Sequence, residues 1–304
     1  MTQRIVHFTF SDTHCGSHEG LTAPGTVYTG NDGKNQHTIT RDMLSDDQLW
    51  LWDLWLEAIE KLGEFAGSDP IIVDESGDPV HGTNHLDNTY SVVDIEQANI
   101  AVQARYPIHA ALKSIIAWRL AYGTAAHDYG QSSGTRQIAA SIAAWGVNPE
   151  HGAVLERNDG GFITNLAHHG PTVGRLPTNR GGALRTYVNA LQLERISDNL
   201  PVPNMIIRGH VHRHYFEPVQ LQWGSGQLTT WGLINAPMCG PNLYAFQAAR
   251  TPDRWQAGPC MWSVEDGKMG EFISMVRTRS TIYKGRSVMA YNKANFCQGD
   301  GQME

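Results

Sequence analysis

The 304-residue sequence predicts a layered α/β fold with a chemical site at the ends of its strands. Two observations carry that expectation. Short apolar runs of strand character alternate with longer stretches of helical periodicity, the pattern of sheets covered by helices. Five polar clusters then follow apolar runs: Asp12-Thr13-His14, Gly77-Asp78, Gly123 to Asp128, Leu166 to Gly170, and Gly209-His210-Val211-His212.

Residues 4–10 alternate in side-chain type and read as a first strand. Residues 20–44 are rich in Gly, Thr, Asn and Asp without apolar periodicity, so a long loop insertion is expected over about 15–44, beside the first cluster. Ser45-Asp46-Asp47-Gln48 has the form of a capping box. The helix it opens runs to about Gly63, with Leu51, Leu54, Trp55, Ile59 and Leu62 at helical spacing. Trp50, Trp52 and Trp55 are expected to pack rather than to hold a cofactor, given the area each can bury.

Further along, 70–73 reads as a buried strand, 92–112 as a helix, 115–122 as a third strand and 135–145 as a helix. Strand 162–166 leads to His168, helix 183–197 follows, and strand 204–208 leads to His210. Beyond about 218 the character turns to β, with hairpin strands at 219–223 and 227–235 and a second pair at 261–264 and 271–276. The last dozen residues read as frayed. The clusters interleave from 12 to 212 with no linker or repeat, so one domain over 1–304 is expected.

With 41% hydrophobic and 17% charged residues, the composition is that of an ordinary soluble globular protein. A formal charge of −7 leaves no basic footprint and argues against a duplex-DNA binder, although bound cations would add positive charge locally. No signal peptide and no run of roughly 18 apolar residues is present, so neither secretion nor a membrane span is expected. Cys15, Cys239, Cys260 and Cys297 are scattered without C-x-x-C spacing, which fits a reduced cytoplasmic setting; Cys15, next to His14, could be accessible to solvent. Oligomeric state is not legible, since the Trp-rich helix suits a dimer face or a monomer core equally.

Asp12 and His14, two apart on an extended segment, would share a face and reach one ion. Gly77 lets the Asp78 carboxylate turn inward, although a lone Gly-Asp is more often a turn. Neutral imidazole is the commonest metal ligand, yet isolated pairs such as His168-His169 usually lie on the surface. Gly209-His210-Val211-His212 is the most specific cluster, because two histidines at i and i+2 can chelate one ion or serve two adjacent ones. Asp and His without thiolate favour Mn²⁺, Fe, Zn²⁺ or Ni²⁺.

In this order the motifs resemble the calcineurin-like metallophosphoesterase family. Ser11 to Ser17 and Ile234-Asn235-Ala236-Pro237 are similar to members found in phages and prophages. The resemblance implies a four-layer α/β/β/α sandwich of two mixed sheets with the metal site at strand ends. It implies two divalent cations, Mn²⁺ being the first choice: Asp12, His14 and His212 on one, Asp78 bridging, His168 and His210 on the other. A phosphoester would be attacked by hydroxide shared between the cations, with His127 assisting the leaving group.

The sequence departs from the family where a Gly-Asn-His-Asp motif is typical, reading Gly123-Thr124-Ala125-Ala126-His127-Asp128. Thr124, water, His127 or Asn84 could take the place of the missing Asn. His169 could partner a ligand or touch substrate. Arg175, Arg180, Arg185 and Arg208 could bind phosphate or form surface ion pairs. The expected substrate is a small or nucleotide-like phosphodiester or phosphomonoester. A DNA nuclease of the same family is the runner-up, without a basic aromatic groove to support it, and a non-catalytic scaffold is the third reading.

Overall fold

The computed structural model describes residues 4–83, 88–174, 179–241, 254–280, 282–283 and 286–287. In chain order its first half contains β1 (Arg4–Phe10), β2 (Thr26–Thr29), β3 (Gln36–Ile39), α1 (Asp46–Ala66), β4 (Ile71–Glu75), α2 (Asp94–Ala111), β5 (Ile115–Ala121) and α3 (Ser133–Ala144). There follow β6 (Pro149–Gly152), β7 (Val154–Asp159), β8 (Phe162–Ala167), α4 (Gly182–Ser197), β9 (Met205–Arg208), β10 (Tyr215–Trp223) and β11 (Gly226–Ile234). The C-terminal part adds β12 (Arg254–Ala257), β13 (Cys260–Glu265), β14 (Lys268–Ser274) and β15 (Arg277–Ser280).

Val6, Phe8 and Phe10 alternate along β1 with His7 and Thr9, and all five are fully buried. A strand buried on both faces belongs inside a covered sheet. Accordingly β1 lies between β4, its parallel partner, and β13, its antiparallel one, in a six-stranded sheet of order β14-β13-β1-β4-β5-β6. A second, five-stranded sheet has the order β10-β11-β9-β8-β7.

Three apolar clusters fill the spaces between layers. The largest joins Phe8, Phe10, Val73 and Trp118 of the first sheet to Leu51 and Trp55 of α1, Ile108 of α2 and Ile138 of α3. A second lies between the sheets, with Met261's neighbours Cys260 and Trp262 meeting Phe162, Leu166, Ile207 and Leu233. The third packs Leu184 and Val188 of α4 on Ile206 and Val219. The result is the four-layer α/β/β/α sandwich with two mixed sheets.

The space between the sheets is partly ionic. Fully buried His7 places Nδ1 2.8 Å from Asp74 Oδ2, and Arg119 Nε donates to Asp74 Oδ1 at 2.6 Å. The His7 ring stacks on Trp262 with centroids 4.9 Å apart.

Both halves of the capping box form, Gln48 N donating to Ser45 Oγ and Ser45 N to Gln48 Oε1. The helix continues three residues past Gly63, to Ala66. Its tryptophans pack: Trp55 is fully buried with Nε1 donating to the Ala104 carbonyl, and Trp50 meets Trp255 edge to face at 5.0 Å. Truncating Trp55 to Ala would cost about 3–5 kcal/mol.

Two expectations need correction. The 15–44 segment is not a structureless loop, because β2 and β3 form a hairpin within it and Arg41–Met43 a short 3₁₀ turn. Asp32 Oδ1 accepts from Lys34 N and Asn35 N and so closes the hairpin turn. Strands β6 and β7 were not expected, since neither is a buried apolar run and both carry a mixed, polar sequence. The expected frayed C-terminus and Cys297 lie outside the described residues. Among the described residues, no helix is long and apolar enough to cross a membrane.

Candidate metal centre

The parallel strands of both sheets end at one edge of the sandwich. Asp12 and His14 follow β1, Asp78 follows β4, Gly123 to Asp128 follow β5, His168 follows β8, and His210 and His212 follow β9. Crevices at the carboxyl ends of strands are where open α/β sheets gather ligands. Backbone bonds fix the loops to one another: Asp12 N donates to Gly77 O, His14 N to Asp78 O, and Gly209 N to His168 O.

Asp12, His14 and Asp78 offer ligand atoms that all lie within 4.8 Å of one another, and so do Asp78, His168 and His210. Asp78 is common to both groups. His212 joins the first, with Nε2 3.4 Å from His14 Nε2 and 3.5 Å from Asp12 Oδ1. His210 and His212 therefore face two neighbouring positions rather than one. His168 Nδ1 donates to the Ser76 carbonyl at 2.6 Å, which turns Nε2 towards Asp78 Oδ2 at 3.1 Å. Asp12 Oδ2 accepts from His210 N at 3.0 Å, so one carboxylate ties the two sheets together at the site.

The backbone achieves this convergence by strain. Asp12, His14, Asp78, His210 and His212 all have φ between 42° and 72°, five of the nine non-glycine residues with positive φ among the described residues. Such conformations cost about 1–3 kcal/mol each and persist where the surroundings over-determine them. The expected extended Asp12-x-His14 segment is thus corrected: left-handed turns, not strand alternation, bring the two side chains together. At Gly77 (φ 88°) a Cβ would collide with the His168 ring.

The side chains fit a divalent cation. Asp12 Oδ1 and His14 Nδ1 are buried without a hydrogen bond, an expensive arrangement for a site made only for packing. Burial pushes His14 well below the ordinary histidine value, and the nearby imidazoles of His127, His212 and His81 push it further. For His168, burial opposes the charge, but Asp78 and Asp12 outweigh it and raise the ring to about 9. His212 is raised likewise, burial being overcome by Cys239 and Asp12. Burial disfavours the Asp12 and Asp78 carboxylates, yet His212 and His168 hold them below the usual carboxylate range. The metal-free site thus balances its carboxylates with protons that a cation would displace.

Thr124 lies beside the ligands in a different capacity from the missing Asn. Its N and Oγ1 both donate to Asp78 Oδ1, at 2.6 and 3.1 Å, and so orient that carboxylate. His127 Nδ1 donates to the His81 carbonyl at 2.6 Å, and its ring lies 4.5 Å from that of His14. Asp128 anchors this loop by accepting from Thr135 N and Oγ1. His169 is exposed beside His168 and His210, with ring centroids 5.0 and 4.8 Å away.

Arg208 does not suit a substrate contact. Its buried guanidinium donates to Asn165 O and Oδ1, the Ile207 carbonyl and the Tyr187 hydroxyl, which occupies every N–H. Arg185 pairs with Glu217 at 2.8 Å, and Arg180 lies over the Tyr215 ring. Asn84 and Arg175 lie outside the described residues.

Two neighbours were not foreseen. His81 groups with His14 and His127, and Cys239 with His14 and His212, its Sγ 4.0 Å from His212 Nδ1. The three-residue step from Asp78 to His81 was a usable signal; nothing in the sequence links Cys239 to His212. Cys15, expected to be reachable by solvent, is fully buried.

No family model and no curated protein matches the sequence. Among solved structures, the chain is similar to a novel archaeal phosphodiesterase at 10% identity, covering 90% of this chain and 99% of that one with a TM-score of 0.41. It is also similar to the sulfate thiohydrolase SoxB of Thermus thermophilus in complex with glycerol, at 10% identity and a TM-score of 0.37, covering 99% of this chain and 61% of that one. Neither likeness bears on the chemistry of this chain, which rests on its own residues.

Proposed function

We propose that this chain is a metal-dependent phosphoester hydrolase with two cations. The observation that carries the reading is the shared carboxylate, Asp78, which belongs to both ligand groups and stands between the two sheets' contributions. Asp12, His14, His212 and Asp78 would hold one cation; Asp78, His168 and His210 would hold the other. When bound, the pair supplies Lewis acidity, lowering the pKa of water and neutralising charge on phosphoryl oxygens.

The chain's own groups do the remaining work. Thr124 fixes the rotamer of Asp78 through two hydrogen bonds. Ser76 fixes the tautomer of His168, leaving Nε2 as its ligand atom. His127, anchored through Nδ1 to the His81 carbonyl, presents Nε2 as the atom that gives a proton to the leaving oxygen. His169, exposed beside His210, is placed to meet substrate. The formal charge of −7 favours a small or nucleotide-like diester or monoester over a polynucleotide.

The test is a stripped protein reloaded with Mn²⁺, Zn²⁺, Ni²⁺ or Fe, with metal content measured alongside turnover of bis-p-nitrophenyl phosphate and cleavage of labelled DNA. The expected result is two ions per chain, turnover of the small diester, and none in an Asp78→Asn variant. An undiminished rate in that variant would sink the reading. Two tightly held ions with no hydrolysis of any generic phosphoester would favour a binding scaffold, the reading that the missing Asn supports.

A further inference from the structure

Arg105 of α2 is fully buried beside the loop that carries Asp12 and His14, and its guanidinium is fully engaged. Nε donates to Glu75 Oε2 at 2.9 Å, and Nη2 donates to Glu75 Oε1 and, at 3.1 Å, to Thr13 Oγ1. Nη1 donates to the Ala101 carbonyl at 2.8 Å and approaches Cys15 Sγ at 3.7 Å. Thr13 Oγ1 passes the contact on by donating to the Pro79 carbonyl at 2.9 Å.

One side chain thus joins α2 to two loops, residues 13–15 and 75–79. Glu75 ends β4 and leads into Gly77-Asp78; Pro79 follows Asp78; Thr13 and Cys15 flank His14. A buried ion pair is a poor device for stability alone, because a well-packed apolar replacement is often as stable or more so. A fork with fixed geometry is well suited to setting the spacing of loops. The loops concerned need such support, since Asp12, His14 and Asp78 all have left-handed backbones.

We propose that Arg105, acting through Glu75 and Thr13, is a positioning residue that sets the spacing of Asp12, His14 and Asp78 and so the affinity of the cation they would share. The inference rests on the two-cation reading above. The hydrogen bonds of Arg105, Glu75 and Thr13 described here run to α2 and to the loops of the first sheet, whereas His168, His210 and His212 come from the second. The clamp therefore acts on one cation position more than on the other.

The decisive variants are Thr13→Val, which removes the hydroxyl at little cost in volume, and Arg105→Lys, which keeps the charge beside Glu75 but loses the fork. Val188→Ala, in the core under α4, serves as a purely structural comparison. Each stripped protein is titrated with Mn²⁺ by calorimetry, and the Tm of its metal-free form is measured. Wild type is expected to bind two ions. Thr13→Val should weaken one of the two binding steps about tenfold and Arg105→Lys about 10- to 100-fold, with the other step less affected. Val188→Ala should lower Tm and leave both steps unchanged.

The proposal is overturned if Thr13→Val binds both ions as wild type does, or if both steps fall together in proportion to the loss of Tm. Should Arg105→Lys not fold, Thr13→Val alone decides. A wild-type chain that takes up none of Mn²⁺, Zn²⁺, Ni²⁺ or Fe would instead refute the two-cation reading on which the clamp depends, a result distinguishable from the first.

Discussion

The Nε2 atoms of His14 and His212 approach to 3.4 Å although 198 positions separate the two residues. Two nitrogens on one tetrahedral cation, each at ~2.1 Å, lie about 3.4 Å apart. The raised His212 ring can donate its proton to the neutral His14 ring, and a cation held between the two lone pairs would take that proton's place. Replacing His14 by Ala should leave one ion per chain instead of two and abolish turnover. Elemental analysis of the purified variant checks this, and two retained ions would remove His14 from the ligand set.

His127 is expected to act on the leaving group rather than to hold a cation. His127→Ala should keep both ions and lose about 10²–10⁴-fold in kcat, most of all with poor leaving groups. Loss of one ion per chain would instead make His127 a ligand.

Proton balance predicts the pH dependence. His168 is raised to about 9 in the metal-free protein, against an ordinary histidine value of 6.5. Below that value its Nε2 carries a proton that ligation must displace, so metal affinity should rise with pH up to about 9, with proton release seen by calorimetry in buffers of different ionisation enthalpy. The sign for folding is opposite. The stabilisation that His168 gives the metal-free protein is complete below pH 6.5 and is lost as pH rises through about 9. Saturating metal should abolish that decline in Tm.

Gly77→Ala tests the strained turn before Asp78. Its positive φ alone costs an alanine about 1–3 kcal/mol, and the collision with the His168 ring adds to that. Urea unfolding should show the loss, together with weaker metal binding. A variant as stable and as tight as wild type would show that the turn relaxes freely.

Arg208→Met should destabilise the fold and leave KM for small phosphoesters unchanged, because all its N–H groups serve Asn165, Ile207 and Tyr187. A raised KM with intact stability would restore Arg208 to the substrate site.

Much of this architecture was legible because strand ends announce themselves: an apolar run that stops at Asp12, Asp78, His168 or His210 is a local signal. A layered α/β domain with its site at strand ends follows from it; the four layers and the ligand set came only from the resemblance those motifs carry. What was hidden depends on backbone angles and long-range contacts. Left-handed φ at Asp12 and His14 leaves no mark on composition, and sequence spacing suggested an extended segment instead. Cys239 meets His212 only because the chain after β11 returns to the first loop, where Met238 N donates to the Ser11 and Asp12 carbonyls. Arg208, beside the last cluster, could have bound phosphate or formed a surface ion pair; its guanidinium turns instead to Asn165 of β8 and Tyr187 of α4.

The position of β1 inside its sheet has a consequence for biosynthesis. One flank of that strand is β13, which leaves the ribosome only after every proposed ligand has been made. A nascent polypeptide halted before Cys260 carries the whole set of histidines and carboxylates on a half-supported strand. The proposed metal site is thereby completed only after translation has passed that point, and products truncated before Cys260 should bind Mn²⁺ less tightly than the full chain.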